Sequence, residues 1–398
     1  VNTEDVITIK VNGRALDAAV FVLPGMPDDT LSIALGYGQS QVGRIGSDRG
    51  FNAYQIRTTQ GLYMASGVTV SKTGKTYVLA CTQDHWSMEN RPLIREASLA
   101  TYLAQPDFAK DMGEEVPHNR SSWNEHPYDT GYQWGLFIDL AKCTGCNACT
   151  IACQAENNIP IVGKDQVKKG REMHWIRVDR YFVGDTADAQ MAFQPVTCLQ
   201  CENAPCENVC PVAATTHSVE GLNDMTYNRC VGTRYCSNNC PVKVRRFNFF
   251  DYHQRNPEAK PKAREHLFDA VKTPDKLMQM QFNPDVTVRM RGVMEKCTYC
   301  VQRINQGKFA AKLQNRTIQD GEIKTACQQT CPANAITFGN IRDENSAVYK
   351  LRNDSRNYSI LESLLLKART TYGAAVRNPN DRLEVMAKPA TEHGGHHS

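Results

Sequence analysis

Long apolar runs are missing from this 398-residue chain. None approaches the ~18 residues of a membrane-spanning helix; the longest, around Ala18–Leu23 and Ile360–Leu366, have the size of a strand and of one helix face. There is no initiator methionine and no charged-then-apolar leader at Val1, so a mature or trimmed piece of a longer chain is expected. Charge of one sign is also scarce. The formal net charge of +4 is evenly spread, which argues against a nucleic-acid partner. No Cys-x-x-Cys-His occurs, which excludes an attached c-type haem, and no Ser/His/Asp or Cys/His constellation stands out as catalytic. Gly36-Tyr37-Gly38 lacks the third glycine of a dinucleotide loop, and Gly67 lies too far upstream of Gly74-Lys75-Thr76 for a phosphate loop. Both read as tight turns between strands.

Cysteine is what the chain has in excess. Fifteen of sixteen lie between Cys143 and Cys331, in four runs: Cys143-Cys146-Cys149-Cys153, Cys198-Cys201-Cys206-Cys210, Cys230-Cys236-Cys240 and Cys297-Cys300…Cys327-Cys331. Disulfide scaffolds belong mostly to short secreted chains, and zinc sites usually join two separated ligand pairs, often with histidine. These runs contain cysteine only, and three of them end in Cys-x3-Cys-Pro, at Pro211, Pro241 and Pro332. The bacterial ferredoxin run C-x2-C-x2-C-x3-C-P has that form. Iron–sulfur clusters are the expectation. The remaining cysteine, Cys81, reads as a small buried hydrophobe.

Composition is that of a globular protein, and the length allows two domains or more. Residues 1–105 read as β-rich. Val6–Val11 alternates, Asn12-Gly13 is a type I′ hairpin signal, and a second hairpin is expected from Val68–Val70 to Tyr77–Leu79. Glu96–Ala104 reads as a short helix and residues 106–131 as a polar linker. Residues 132–345 hold the cysteine runs, with strands expected at Trp134–Leu140, Trp175–Phe182 and Ala335–Asn340. The runs look like four copies of a half-ferredoxin unit. In the 346–398 segment, Tyr358–Lys367 reads as an amphipathic helix, and His393, His396 and His397 as part of a solvated tail.

A cubane cluster needs four converging thiolates. A C-x2-C-x2-C loop wraps one face with three, and its fourth cysteine serves a partner cluster. Runs therefore work in pairs. Spacing permits either neighbouring runs to pair or the outer and inner runs to pair separately. The 26 residues between Cys300 and Cys327 lean toward the nested arrangement, since they leave room to reach around an inner module. Nesting groups Cys143, Cys146, Cys149 and Cys331; Cys297, Cys300, Cys327 and Cys153; Cys198, Cys201, Cys206 and Cys240; and Cys230, Cys236 and Cys210. The last set has three thiolates because Thr233 occupies the position of the missing cysteine. A hydroxyl that stays protonated is a poor substitute, so a [3Fe–4S] cluster is expected there, with an oxygen-ligated [4Fe–4S] cluster as the alternative. Loss of one anionic ligand raises the potential, which suits acceptance of electrons from a quinol. Arg245, Arg246, Phe247, Phe249 and Phe250 read either as a docking surface or as a basic strand covering the cluster. Lys142, Lys243 and Lys296 stand where they partly offset cluster charge.

Ile138-Asp139-Leu140-Ala141-Lys142-Cys143, Ala152–Asn158 and Arg291–Cys300 resemble the four-cluster electron-transfer subunits of the molybdopterin oxidoreductases, over about residues 130–375. In that family the nested exchange of ligands is the rule, and the resemblance implies it here. Phe21–Gly25, Leu35–Gly38 and Gly50–Tyr54 resemble the C-terminal β-barrel of molybdopterin-binding catalytic subunits. A barrel fused ahead of such a module, with one cysteine missing from the third run, looks like the C-terminal part of the large iron–sulfur subunit of alternative complex III. The resemblance implies an α+β fold: a barrel-like N-terminal domain without molybdenum, then a double bacterial-ferredoxin-like module. It also implies three [4Fe–4S] clusters and one [3Fe–4S] cluster, with no active site on the chain itself. The implied partners are an integral-membrane quinol-binding subunit, multihaem cytochrome c subunits and upstream molybdopterin-like domains. The implied place is the periplasmic face of the bacterial cytoplasmic membrane. The rival reading is the electron-transfer module of a true molybdopterin-dependent reductase.

Overall fold

The structure, a computed structural model, describes residues 1–83, 85–113, 121, 123–250 and 280–378. Part of the expected linker and the whole histidine-bearing tail lie outside the described residues.

The alternation of Val6–Val11 forms β1 (Asp5–Val11), which returns as β2 (Arg14–Ala19). Asn12 and Gly13 take φ of 49° and 73° between them, the two left-handed positions of a type I′ turn. The other edge of β1 pairs with β3 (Thr69–Thr76). Ile7, Ile9 and Ala18 form a small core with Val20, Ile33, Phe51 and Ile56. The order β2-β1-β3 leaves both edges open, and no closed barrel forms among the described residues. The second expected hairpin is absent. Ser71–Gly74 stays inside β3, because Thr73 Oγ1 donates to the Val6 carbonyl at 2.7 Å and the surplus residues become a bulge opposite Asp5 and Ile7. Gly74-Lys75-Thr76 is thus strand rather than turn.

Glu96–Ala104 divides into β4 (Glu96–Ser98) and a helix at Leu99–Ala104, capped by Ser98, whose Oγ accepts from the Thr101 amide. The cysteine-bearing part is built on β5 (Trp134–Asp139), β6 (Arg177–Val183) and β7 (Gln190–Val196). Short pairs follow: β8 (Thr215–His217) with β9 (Asn223–Met225), and β10 (Arg246–Phe247) with β11 (Met294–Glu295). Then come β12 (Ile336–Asn340), β13 (Asn357–Tyr358), β14 (Thr370–Gly373) and β15 (Ala375–Arg377). All six residues of β5 are buried, because it lies inside the sheet β12-β5-β14-β13. Trp134 stacks on Tyr132 and on Phe338, with centroids 5.3 and 5.4 Å apart, and Tyr299 meets Phe338 edge-on.

The amphipathic helix expected over Tyr358–Lys367 does not form. Leu361 and Leu365 have φ of 56° and 51°, bracketing a single 3-10 turn at Glu362–Leu364. The backbone there is held from outside. Asn203 Nδ2 donates to the Leu365 carbonyl at 2.7 Å, and the Asn203 and Glu202 amides donate to the Leu366 and Lys367 carbonyls. Tertiary partners replace the i→i−4 ladder, and Ile360 and Leu366 are buried separately. No described helix is long and apolar enough to cross a membrane.

Candidate metal centres

The four runs share one backbone device. The second residue after the first cysteine is left-handed in each: Gly145 (φ 67°), Gln200 (50°), Gly232 (71°) and Tyr299 (55°). The turn curls the chain so that successive sulfurs face one side. A second device follows the Cys–Pro cysteines. Ala213, Lys243 and Asn334, each three residues on, are left-handed. After Cys210 and Cys331 the next amide then points back at sulfur: Ala214 N–H to Cys210 Sγ at 3.2 Å and Ala335 N–H to Cys331 Sγ at 3.3 Å. The first run has no proline, and the Asn157 side chain takes over, donating to Cys153 Sγ at 3.6 Å.

Strand pairing decides which runs meet. Cys143 leaves the end of β5 and Cys331 precedes β12. Antiparallel pairing of Ile138 with Ile336 brings both cysteines to the same sheet end. One cavity there is lined by Cys143, Cys146, Cys149 and Cys331. A second, lined by Cys153, Cys297, Cys300 and Cys327, shares Cys149, Pro195 and Ile336 with the first. A third is lined by Cys198, Cys201, Cys206 and Cys240. Cys230, Cys236 and Cys210 gather beyond it. The Cys236 thiol feels the other two, and it packs with Ala204, Cys206 and Met294. Cys297 is electrostatically close to Cys198, and Cys206 packs with Cys236, so each group adjoins the next. Residues from distant runs therefore share cavities.

Thr233 stands in a loop matching that of Cys146. Gly145-Cys146-Asn147 and Gly232-Thr233-Arg234 both place a left-handed residue on either side of the middle position. Asn147 and Arg234 then open the helices Ala148–Glu156 and Tyr235–Asn238, each of which carries the next cysteine. Both middle residues are exposed.

The second and third cavities have apolar walls. Leu136, Ile138, Ile176 and Ile336 surround the second group, and Leu199, Val242 and Val244 the third. Burial pushes the Cys149, Cys206 and Cys297 thiols up to about 11, and Cys153 and Cys201 well above their ordinary value. A thiolate in such a place requires a positive partner, which a bound metal supplies. Amides add to it: Tyr299 N–H to Cys297 Sγ at 3.4 Å, Ala326 N–H to Cys300 Sγ at 3.5 Å and Met294 N–H to Cys230 Sγ at 3.4 Å. Four sulfurs, an apolar wall and sulfur-directed amides fit an iron–sulfur cluster, which supplies a one-electron couple tuned by such hydrogen bonds.

Among the basic and aromatic residues after the third run, β10 covers the centres by pairing with β11, and the Arg245 side chain lies inside. Lys296 is fully buried, whereas Lys142 and Lys243 are exposed. Cys81 is exposed rather than buried; it lies outside every strand, so no packing covers it. Sequence reasoning assigned no role to Asn157, nor to Gln200, whose Nε2 donates to the Cys297 carbonyl and whose Oε1 accepts from the Asn223 amide. Their signal was weak: an amide four residues after Cys153, and another between two cysteines.

The model of the 4Fe-4S dicluster domain family matches residues 142–214, which span the first two runs. The iron-sulfur cluster-binding subunit of menaquinone reductase from Nitratidesulfovibrio vulgaris is 38% identical over 237 residues, 58% of this chain and 85% of its own length. A putative dimethyl sulfoxide reductase iron-sulfur subunit from Halobacterium salinarum is 32% identical over 58% of this chain and 74% of its own. A polysulfide reductase chain from Wolinella succinogenes is 27% identical over 55% and 82%. With cysteine groups arranged as above and relatives covered over most of their length, this protein belongs to the family of iron–sulfur electron-transfer subunits of the molybdopterin oxidoreductases and related quinone reductases.

Proposed function

We propose that this chain relays electrons through three [4Fe–4S] clusters and one [3Fe–4S] cluster in a membrane-bound quinol oxidoreductase of the alternative complex III type. The [4Fe–4S] ligands are Cys143, Cys146, Cys149 and Cys331; Cys297, Cys300, Cys327 and Cys153; and Cys198, Cys201, Cys206 and Cys240. The [3Fe–4S] ligands are Cys230, Cys236 and Cys210. The adjacency of successive cysteine groups supports this reading, with Thr233 in a Cys146-like loop of the three-cysteine group. Fewer anionic ligands favour reduction, so the three-cysteine end takes electrons from a quinol held by an integral-membrane subunit. The other end passes them toward multihaem cytochrome c or an oxidase on the periplasmic face. Residues 1–105 belong in this proposal to the end of a molybdopterin-type fold without cofactor, joined by the 106–131 linker to the module over 132–345 and its extension over 346–398.

EPR of the oxidised protein tests the reading. A [3Fe–4S] signal is expected, and Thr233→Cys should diminish it by supplying the fourth thiolate; an unchanged spectrum in that variant defeats the assignment. The name of the Halobacterium relative favours a second reading, the electron-transfer module of a molybdopterin-dependent reductase. Stoichiometric molybdenum in the purified assembly would establish that one instead.

A further inference from the structure

Four arginines are buried among the described residues: Arg95, Arg245, Arg289 and Arg369. Three pair with a carboxylate: Arg95 with Glu362, Arg289 with Glu295 and Arg369 with Glu202. Arg245 has no carboxylate within ion-pair distance among the described residues, although only 4% of it is exposed. Its Nη2 donates to Asn223 Oδ1 at 2.9 Å and to Cys206 Sγ at 3.0 Å. Its Nη1 donates to Thr215 Oγ1 at 3.2 Å and lies 3.5 Å from Met225 Sδ. Its charge is also felt at Cys236, Cys198 and Cys240, and Cys236 packs in one cluster with Cys206. It therefore stands between the Cys198-Cys201-Cys206-Cys240 group and the Cys230-Cys236-Cys210 group. A buried cation without a counter-ion is costly. Neutral Asn223 and Thr215 orient the fork without neutralising it, so its natural counter-charge is the sulfur on both sides.

We propose that Arg245 is the shared electrostatic partner of the two inner centres, raising the reduction potential of both at once. Each centre gains one negative charge when it takes up an electron, and a fixed cation beside it stabilises that reduced form. One residue then moves both potentials in the same direction, so the step between the two centres is little changed while both become better acceptors. This rests on the reading that both groups hold clusters. If the unaltered protein lacked four cluster signals, that reading would fail before Arg245 was tested.

The test is an EPR-monitored redox titration of the full chain in its complex, with iron content measured on each sample. In Arg245→Gln both inner midpoints should fall, each by about tenfold in the reduced-to-oxidised ratio, or about 59 mV for a one-electron couple. The two outer midpoints should stay where they are. Arg245→Lys keeps the charge and should hold both inner midpoints close to those of the unaltered protein. If Arg245→Gln does not load iron, Asn223→Asp keeps the arginine and places a carboxylate on its Nη2, and the same paired fall is expected. The proposal is overturned if the inner midpoints do not move, if only one moves, if all four move together, or if Arg245→Lys falls as far as Arg245→Gln.

Discussion

Arg289 and Glu295 form the most enclosed ion pair of the described structure, 2.8 Å apart with side chains 1% and 0% exposed. Replacing either by methionine should have a cost that is mostly the charge left behind. Glu295→Met strands a guanidinium that faces Trp175 at 5.0 Å and the carbonyls of Asn157, Asn158 and Thr287. Arg289→Met strands a carboxylate whose remaining partner is Asn248 Nδ2 at 3.1 Å. Breaking one side of such a pair costs about 3–5 kcal/mol. The double variant removes both charges and leaves only neutral groups unpaired, the three carbonyls and Asn248 Nδ2, each at roughly 1–3 kcal/mol and each already lost in one of the single variants. The two single losses should therefore exceed the double loss by several kcal/mol. Anaerobic urea unfolding of wild type, both single variants and the double variant, at matched iron content, measures the difference. Additivity to within about 0.5 kcal/mol would refute the reasoning, since independent sites behave that way. The pair also holds Asn157 and Asn158 against β11, linking the run that ends at Cys153 to the one that begins at Cys297. The same variants should therefore lower the amount of cluster retained at the second group.

Serine substitutions separate nested from neighbouring ligand sets: Cys153→Ser and Cys300→Ser should perturb one EPR signal, and Cys143→Ser and Cys331→Ser another. If Cys153→Ser altered the Cys143 signal instead, the assignment would be wrong. Gly232→Ala should abolish the proposed [3Fe–4S] signal and spare the rest, because φ is +71° there and a Cβ would lie 2.2 Å from the Gly292 carbonyl oxygen. Arg316 and the Gln319 amide hold the Glu322 carboxyl down to about 2. Its stabilisation is complete above the unfolded value of about 4.3 and disappears as pH falls through about 2. Glu322→Gln should thus cost the same at pH 6 and pH 8, no more than ~1 kcal/mol for a partly exposed pair, as read by thermal unfolding; a cost that changed across that interval would show the sign to be wrong.

Much of the centre's chemistry was legible because it is local. The C-x2-C spacing, the prolines after Cys210, Cys240 and Cys331, and the gap at Thr233 are all properties of short loops. The same holds for the β1–β2 hairpin, where Asn12-Gly13 and the flanking alternation agree with each other. Features that failed were local signals overruled from a distance. Tyr358–Lys367 has helical periodicity, but Glu202 and Asn203 hydrogen-bond its carbonyls. Ser71–Gly74 has turn residues, yet β1 offers a continuous edge to pair with.

By itself the sequence determined the cysteine spacing and the loop signals around it, since each depends on residues a few positions apart. Tertiary structure decided which sulfurs face one another. Cys143 and Cys331 meet because β5 pairs with β12, a contact between segments nearly 200 residues apart. It also decided that Arg245, one of several basic residues after the third run, points inward with no carboxylate of the described residues beside it. Spacing along a sequence carries no information about the sign of charge that a folded neighbour will present. That depends on which strands close over the site, and here the strand pair β10–β11 does so.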